Sequence, residues 1–128
     1  MLCFGESEKD SCHLFDGDTF TRVASSSKPH FAGRLATYHD KAFVTGSITP
    51  NNAVTEVFDG SQWEELASYP FWSSINSYGV VSLPDQVVIF GGRLGSTGLY
   101  SDQIASFKER EFSVDSPQYF TPQKPVND

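Results

Sequence analysis

Residues 87–98 read VVIFGGRLGSTG. An apolar run of strand length closes on Gly91-Gly92, and Gly95 and Gly98 follow. Two kinds of structure begin this way. In one, the glycines cradle a phosphate at the start of a helix. In the other, they let a strand end sharply beside a neighbouring backbone, where a Cβ would obstruct the approach or forbid the required φ. The dinucleotide-binding turn needs G-x-G-x-x-G opening a helix, but here the spacing is Gly92-x-x-Gly95-x-x-Gly98. The segment that follows, LYSDQIASFKEREF, has no helical stripe, and Glu109 and Glu111 align with hairpins elsewhere in the chain rather than with a ribose-binding acid. A Walker loop would need Gly-Lys-Ser/Thr, which is absent. The expectation is therefore a structural glycine pair and no cofactor.

The same pattern recurs upstream. MLCFGE (1–6), AFVTGS (42–47) and VVIFGG (87–92) stack as apolar runs closed by Gly5, Gly46 and Gly91, at spacings of 41 and 45. A second element follows each one: HLFDGDTF (13–20), EVFDGSQW (56–63) and ASFKEREF (105–112). In each, two aromatics lie five apart: Phe15 and Phe20, Phe58 and Trp63, Phe107 and Phe112. The first two pairs flank Asp16-Gly17 and Asp59-Gly60, a hairpin cue because both residues tolerate φ > 0 in a type I′ turn. A polar stretch with Pro29 or Pro70 then leads to RLATYHD (34–40) or YGVVSLPD (78–85), and so back to a glycine run. Each period of about 43 residues thus holds four short strands, a to d, with the glycines ending strand b and the hairpin joining c to d. VVIF and VVSL are apolar on both faces, as expected for strands sandwiched between neighbouring sheets.

This pattern resembles the Kelch repeat: an apolar strand ending in Gly-Gly, an aromatic closing strand c, Trp or a substitute opening strand d, and a Pro loop before the next strand. The resemblance spans residues 1–116 as units of about 1–33, 34–76 and 77–116. It implies an all-β fold of four-stranded antiparallel propeller blades whose aromatics pack between blades. The chain departs from the family at Gly5-Glu6 and Gly46-Ser47, at Tyr78-Gly79, and in the third unit, which lacks Asp-Gly. Eleven strands make an arc of about three blades, the first without strand a, where closed propellers need at least about four. Apolar blade faces at both ends would then be uncovered and would invite self-association, or the chain is part of a longer protein or a truncated chain without a function of its own. Residues 117–128 are Pro-rich and are expected to be disordered.

Composition fits a β-rich protein: 14% of the 128 residues are aromatic, including eleven Phe. A net charge of −7 and a pI of 4.8 disfavour nucleic acid and anionic membranes, and leave a basic protein as the easier partner, beside the reading in which the charge only keeps the domain soluble. No apolar run of membrane length, basic-headed leader or Asn-x-Ser/Thr sequon occurs, so a cytoplasmic location is slightly favoured. Cys3 and Cys12 are expected to be buried thiols, with a cross-strand disulfide as the alternative.

No catalytic arrangement is found. His13, His30 and His39 form no metal-ligand pair, and Asp16 and Asp59 belong to separate turns. The enzyme alternative is a galactose-oxidase-like copper site, for which Tyr38, Tyr69, Tyr78, Tyr100 and Tyr119 show no matching signature with the histidines. The resemblance implies instead a non-enzymatic scaffold or adaptor that binds protein through its b–c loops (6–11, 47–53, 93–101) and d–a loops (25–31, 68–74). Phe71 and Trp72 are the favoured contact anchors, with Arg93 and Tyr100 as polar contacts. Lys28 and His30 could serve an acidic partner, although solvation explains them as well. No BTB, F-box or EGF-like segment is visible to identify the partner.

Overall fold

A computed structural model describes residues 1–49, 54–70, 74–94 and 97–115. These residues are all-β, with thirteen strands, antiparallel sheets and no α-helix among them. A three-stranded sheet takes the order β1 (Leu2–Cys3), β2 (Cys12–Phe15), β3 (Phe20–Val23). A four-stranded sheet follows: β4 (Arg34–Tyr38), β5 (Lys41–Thr45), β6 (Thr55–Phe58), β7 (Trp63–Leu66). The third principal sheet runs β9 (Gly79–Leu83), β10 (Gln86–Phe90), β12 (Ile104–Lys108), β13 (Glu111–Asp115). Between them lies a ribbon the sequence pattern had not revealed, β8 (Ile75–Asn76) paired with β11 (Arg93–Leu94). Both four-stranded sheets run in the order a-b-c-d, with β11 of the ribbon falling along the chain between b and c of the later one. The first sheet holds b, c and d only.

The hydrophobic core lies between the second and third sheets. Phe107 packs 5.1 Å from both Tyr38 and Phe43, edge-on to Tyr38. Phe112 meets Phe107 at 4.9 Å and Tyr69 at 5.8 Å, and Val87, Ile89 and Ala105 fill the sheet between. β4 lies beside β9, tied by the Thr37 amide donating to Ser82 Oγ at 2.8 Å. The first sheet meets the second through Phe4 against Trp63 (5.9 Å), whose indole N–H donates to the Ala24 carbonyl at 3.0 Å. The second sheet is therefore covered on both sides, and all four residues of β6 are buried. The expectation that VVIF and VVSL are covered on both faces fails. Val87 and Ile89 are buried, but Val81, Leu83 and Phe90 are exposed, because no sheet among the described residues lies against that side.

Register corrects the alignment of the first unit. Cys3 pairs with Cys12 as Thr45 pairs with Thr55 and Phe90 with Ile104. Phe4 then stands where Gly46 and Gly91 stand, one place before the expected Gly5. It adopts φ 65°, beside 75° and 66° for the two glycines, and its amide bonds the Ser11 carbonyl as the Gly91 amide bonds that of Gln103. Gly5 has open space around its Cβ direction. At Gly46, by contrast, a Cβ would sit 2.8 Å from Ile75 Cγ2, and at Gly92 (φ 107°) it would sit 2.9 Å from Ile75 Cδ1. Both glycines are needed for close packing as well as for conformation.

The c–d hairpins also differ from expectation. Asp16 and Asp59 begin four-residue loops, and only Gly17 and Gly60 take positive φ (107° and 108°). Each carboxylate accepts amide protons from two and three residues ahead, an Asx turn, and these bonds hold both carboxyls below the ordinary value. The two-residue turn with both φ positive occurs where Asp-Gly is missing, at Glu109-Arg110 (52° and 65°).

Cys3 and Cys12 are bonded to each other, which corrects the expectation of free thiols. They occupy the place where Thr45 and Thr55 share a hydroxyl hydrogen bond of 2.8 Å in the second sheet. Two outcomes follow from this geometry. Gly46→Ala should lose about 1–3 kcal/mol in urea unfolding, while Gly5→Ala should stay within about 0.5 kcal/mol; equal midpoints would contradict the corrected register. Replacing both cysteines with Ser should cost about 2–3 kcal/mol, the loop-closure entropy of a short cross-link, in the same measurement.

Candidate interaction surface

Alternation of strand direction brings the loops after strands b and d to one end of the molecule. There the backbone of each loop is tied to the next. The His30 and Ser26 amides donate to the Lys9 and Asp10 carbonyls (both 3.0 Å). The Ile48 amide reaches Phe31 O, and the Ile75 amide reaches Ser47 O (both 2.9 Å). β8 then pairs with β11, and within the last loop the Leu94 amide bonds Leu99 O while Ser101 bonds Gly92 O (both 2.8 Å). The loops thus form one stitched rim.

Beneath the rim lies a polar cluster that sequence reasoning missed. The His30 and Glu56 side chains are fully buried. His30 Nδ1 donates to the Gly46 carbonyl (2.9 Å) and Nε2 to Glu56 Oε2 (2.7 Å). The carboxylate also accepts the Ser27 and Lys28 amides (2.8 and 3.2 Å). Both ring nitrogens face oxygen partners, so the imidazole bridges the Gly46 carbonyl and the Glu56 carboxylate as a buried polar pair. Burial pushes the Glu56 carboxyl up, but the His30 bond, the Ser27 amide and the electrostatic pull of His30 outweigh it and hold the group below its ordinary value. His30 is thus not a solvated loop residue awaiting an acidic partner. Its acid is Glu56, on strand c of the next sheet, and the sequence signal is a lone charged residue inside the strand TEVF.

Tyr78 forms the matching tether further along. It donates to the Thr45 carbonyl and accepts the Arg34 amide at 2.8 Å, and its burial raises its pKa. Tyr69 is pushed up to about 12 by burial, so both phenols stay neutral. Tyr38 and Tyr69 also belong to the core, with Tyr38 against the ring of its neighbour His39. Among the described residues no group of three or more His, Cys, Asp and Glu side chains comes together. No helix among them is long and apolar enough to cross a membrane.

Of the expected contact residues, Arg93 lies exposed in β11, and its backbone bridges to Tyr100, which is 81% exposed. Leu99 beside it is also exposed. Phe71, Trp72, Gly95 and Tyr119 lie outside the described residues. At the opposite end, an open cleft of about 360 Å³ is lined by Tyr38, His39, Lys41, Glu64 and Arg110, with Arg110 paired to Glu64.

No protein-family model matches the chain, and no curated protein matches it. Among solved structures it is similar to that of YjhT, with a TM-score of 0.66 at 14% identity over 79% of this chain. The match covers 41% of that chain, so the present one spans less than half its length. At this identity the likeness shows a shared fold and nothing of activity.

The folded-state value of Glu56 lies below its ordinary 4.5, so its ionised form stabilises the fold above that pH. That contribution is lost as pH falls through the folded value. Glu56→Gln should lose about 3–5 kcal/mol at neutral pH and show a shallower decline below pH 4.5 in urea unfolding at stepped pH. Native stability with an unchanged acid limb would refute the buried pair.

Proposed function

We propose that the chain is an arc of Kelch-type propeller blades acting as a non-enzymatic protein-binding module through its b–c and d–a loops. The a-b-c-d order of both four-stranded sheets, and the packing of β4 beside β9, support the blade reading. The observation that carries the binding role is the exposure of Arg93, Leu99 and Tyr100 on a rim whose backbone is held by hydrogen bonds. A large aromatic and an arginine on a rigid frame bind at low entropic cost. Phe71 and Trp72, the contact anchors expected from the sequence, stand between Leu66 and Ile75 in the chain and are tested alongside these residues. With a net charge of −7, the partner is a protein with a basic surface rather than a nucleic acid or an anionic membrane. The Cys3–Cys12 bond favours an oxidising compartment over the cytoplasm.

Affinity capture with the native chain, an Arg93→Ala/Leu99→Ala/Tyr100→Ala variant, a Phe71→Ala/Trp72→Ala variant and a Lys41→Ala control at the opposite end tests this. A partner retained by the control and recovered about tenfold less by a rim variant is the expected result. Equal recovery of every partner by all four chains would overturn the reading.

A further inference from the structure

The chain makes one kind of joint twice. In register, Leu2, Val44 and Ile89 are equivalent, as are Phe15, Phe58 and Phe107 on strand c, and Phe20, Trp63 and Phe112 on strand d. In the second and third sheets this row faces the preceding sheet and is covered: Val44 and Ile89 are 0% exposed, Phe107 0% and Phe58 6%. In the first sheet the same row is open, with Leu2 64%, Phe15 52% and Phe20 58% exposed. The two rings are nonetheless already stacked, 4.6 Å apart.

The other half of the joint is open at the far end. Ala36, Tyr38 and Phe43 of the second sheet receive Phe107. Their counterparts in the third sheet are Val81, Leu83 and Val88, with Phe90 beside them at the place of Thr45. Val81 is 45% exposed, Leu83 41% and Phe90 44%. Where the second sheet offers a threonine and a tyrosine hydroxyl, the third offers only hydrocarbon.

We infer that these two faces are the halves of a third joint, and that a second copy of this chain occupies it, first sheet against third sheet, head to tail. The occupant follows from continuity with the two internal joints. Each step along the chain sets an aromatic c–d pair on the preceding sheet, and one further step sets the first sheet of a copy on Val81, Leu83 and Phe90. The contact is heterologous, so each copy uses both faces and two joints can close a pair. It involves no rim residue and stands or falls separately from the partner proposed above.

Light scattering after size exclusion, over a concentration series, tests the joint with two surface variants: Phe15→Glu/Phe20→Glu, and Val81→Asp/Leu83→Asp. Circular dichroism confirms that each keeps the native sheet signal and melting temperature. The native chain should form dimers, or longer oligomers if the joints do not close. Each variant alone should be monomeric, and the equimolar mixture should give a one-to-one dimer, because one intact head meets one intact tail. A native chain that stays monomeric up to its solubility limit would overturn the inference, as would either variant associating alone like the native chain, or a mixture that stays monomeric.

Discussion

The fold depends on one contact: the two aromatics that close strand c and open strand d of a sheet, set down on the inner strands of the sheet before it. Phe107 and Phe112 do this against Tyr38, Phe43 and Tyr69, and Trp63, packed on Phe58, does it against Phe4 of the first unit. A four-stranded sheet of four- and five-residue strands has too little area to bury its own apolar rows. Burying one aromatic ring contributes about 2–3 kcal/mol, so each joint supplies several such increments and no sheet is stable without a neighbour.

Polar tethers accompany the aromatic contact but differ from joint to joint. Between the first and second sheets the tether is His30 on Glu56 with two loop amides. Between the second and third it is Tyr78 on the Thr45 carbonyl and the Arg34 amide. An isolated buried ion pair adds little net stability, because desolvation offsets most of its attraction. Its effect is on position. A carboxylate that must accept three donors from one loop fixes where that loop lies on the next sheet. The aromatic rows hold the sheets together, and the polar tethers set how the rim loops line up.

The repeat was legible in the sequence because its signals are local. Apolar runs, paired aromatics five apart and glycines at strand ends placed strands a to d in the second and third units, and the absence of strand a in the first. What was not legible depends on contacts distant in sequence or on backbone geometry. Asp16-Gly17 looked like a two-residue turn, yet the Asp side chain competes for the backbone amides and lengthens the loop to four residues. Phe4 looked like the last residue of a strand, but it takes the left-handed conformation because its amide must reach Ser11 and its ring must meet Trp63. His30 looked solvated because Glu56 lies 26 positions away. Of the candidate site, Arg93 and Tyr100 were visible as loop residues, whereas the hydrogen-bonded rim that holds them was not.

That division of labour bears on function. The residues that build the joints occupy sheet faces, and those that line the rim occupy loops joined to one another through backbone amides and carbonyls. Backbone bonds do not depend on which side chain a loop residue carries, so rim side chains can change without disturbing the joints. Gly46 and Gly92 are where the two requirements meet. Each lies between a strand that belongs to a joint and a segment that belongs to the rim, and each lies against Ile75 of the ribbon between the sheets. A side chain at either position would push the ribbon outward and move Asn76 and its partner Arg93 with it. Of the glycines that raised the question of a phosphate cradle, Gly92 therefore has a packing role, and it shares that role with Gly46: each lets the ribbon lie close against the strand ends.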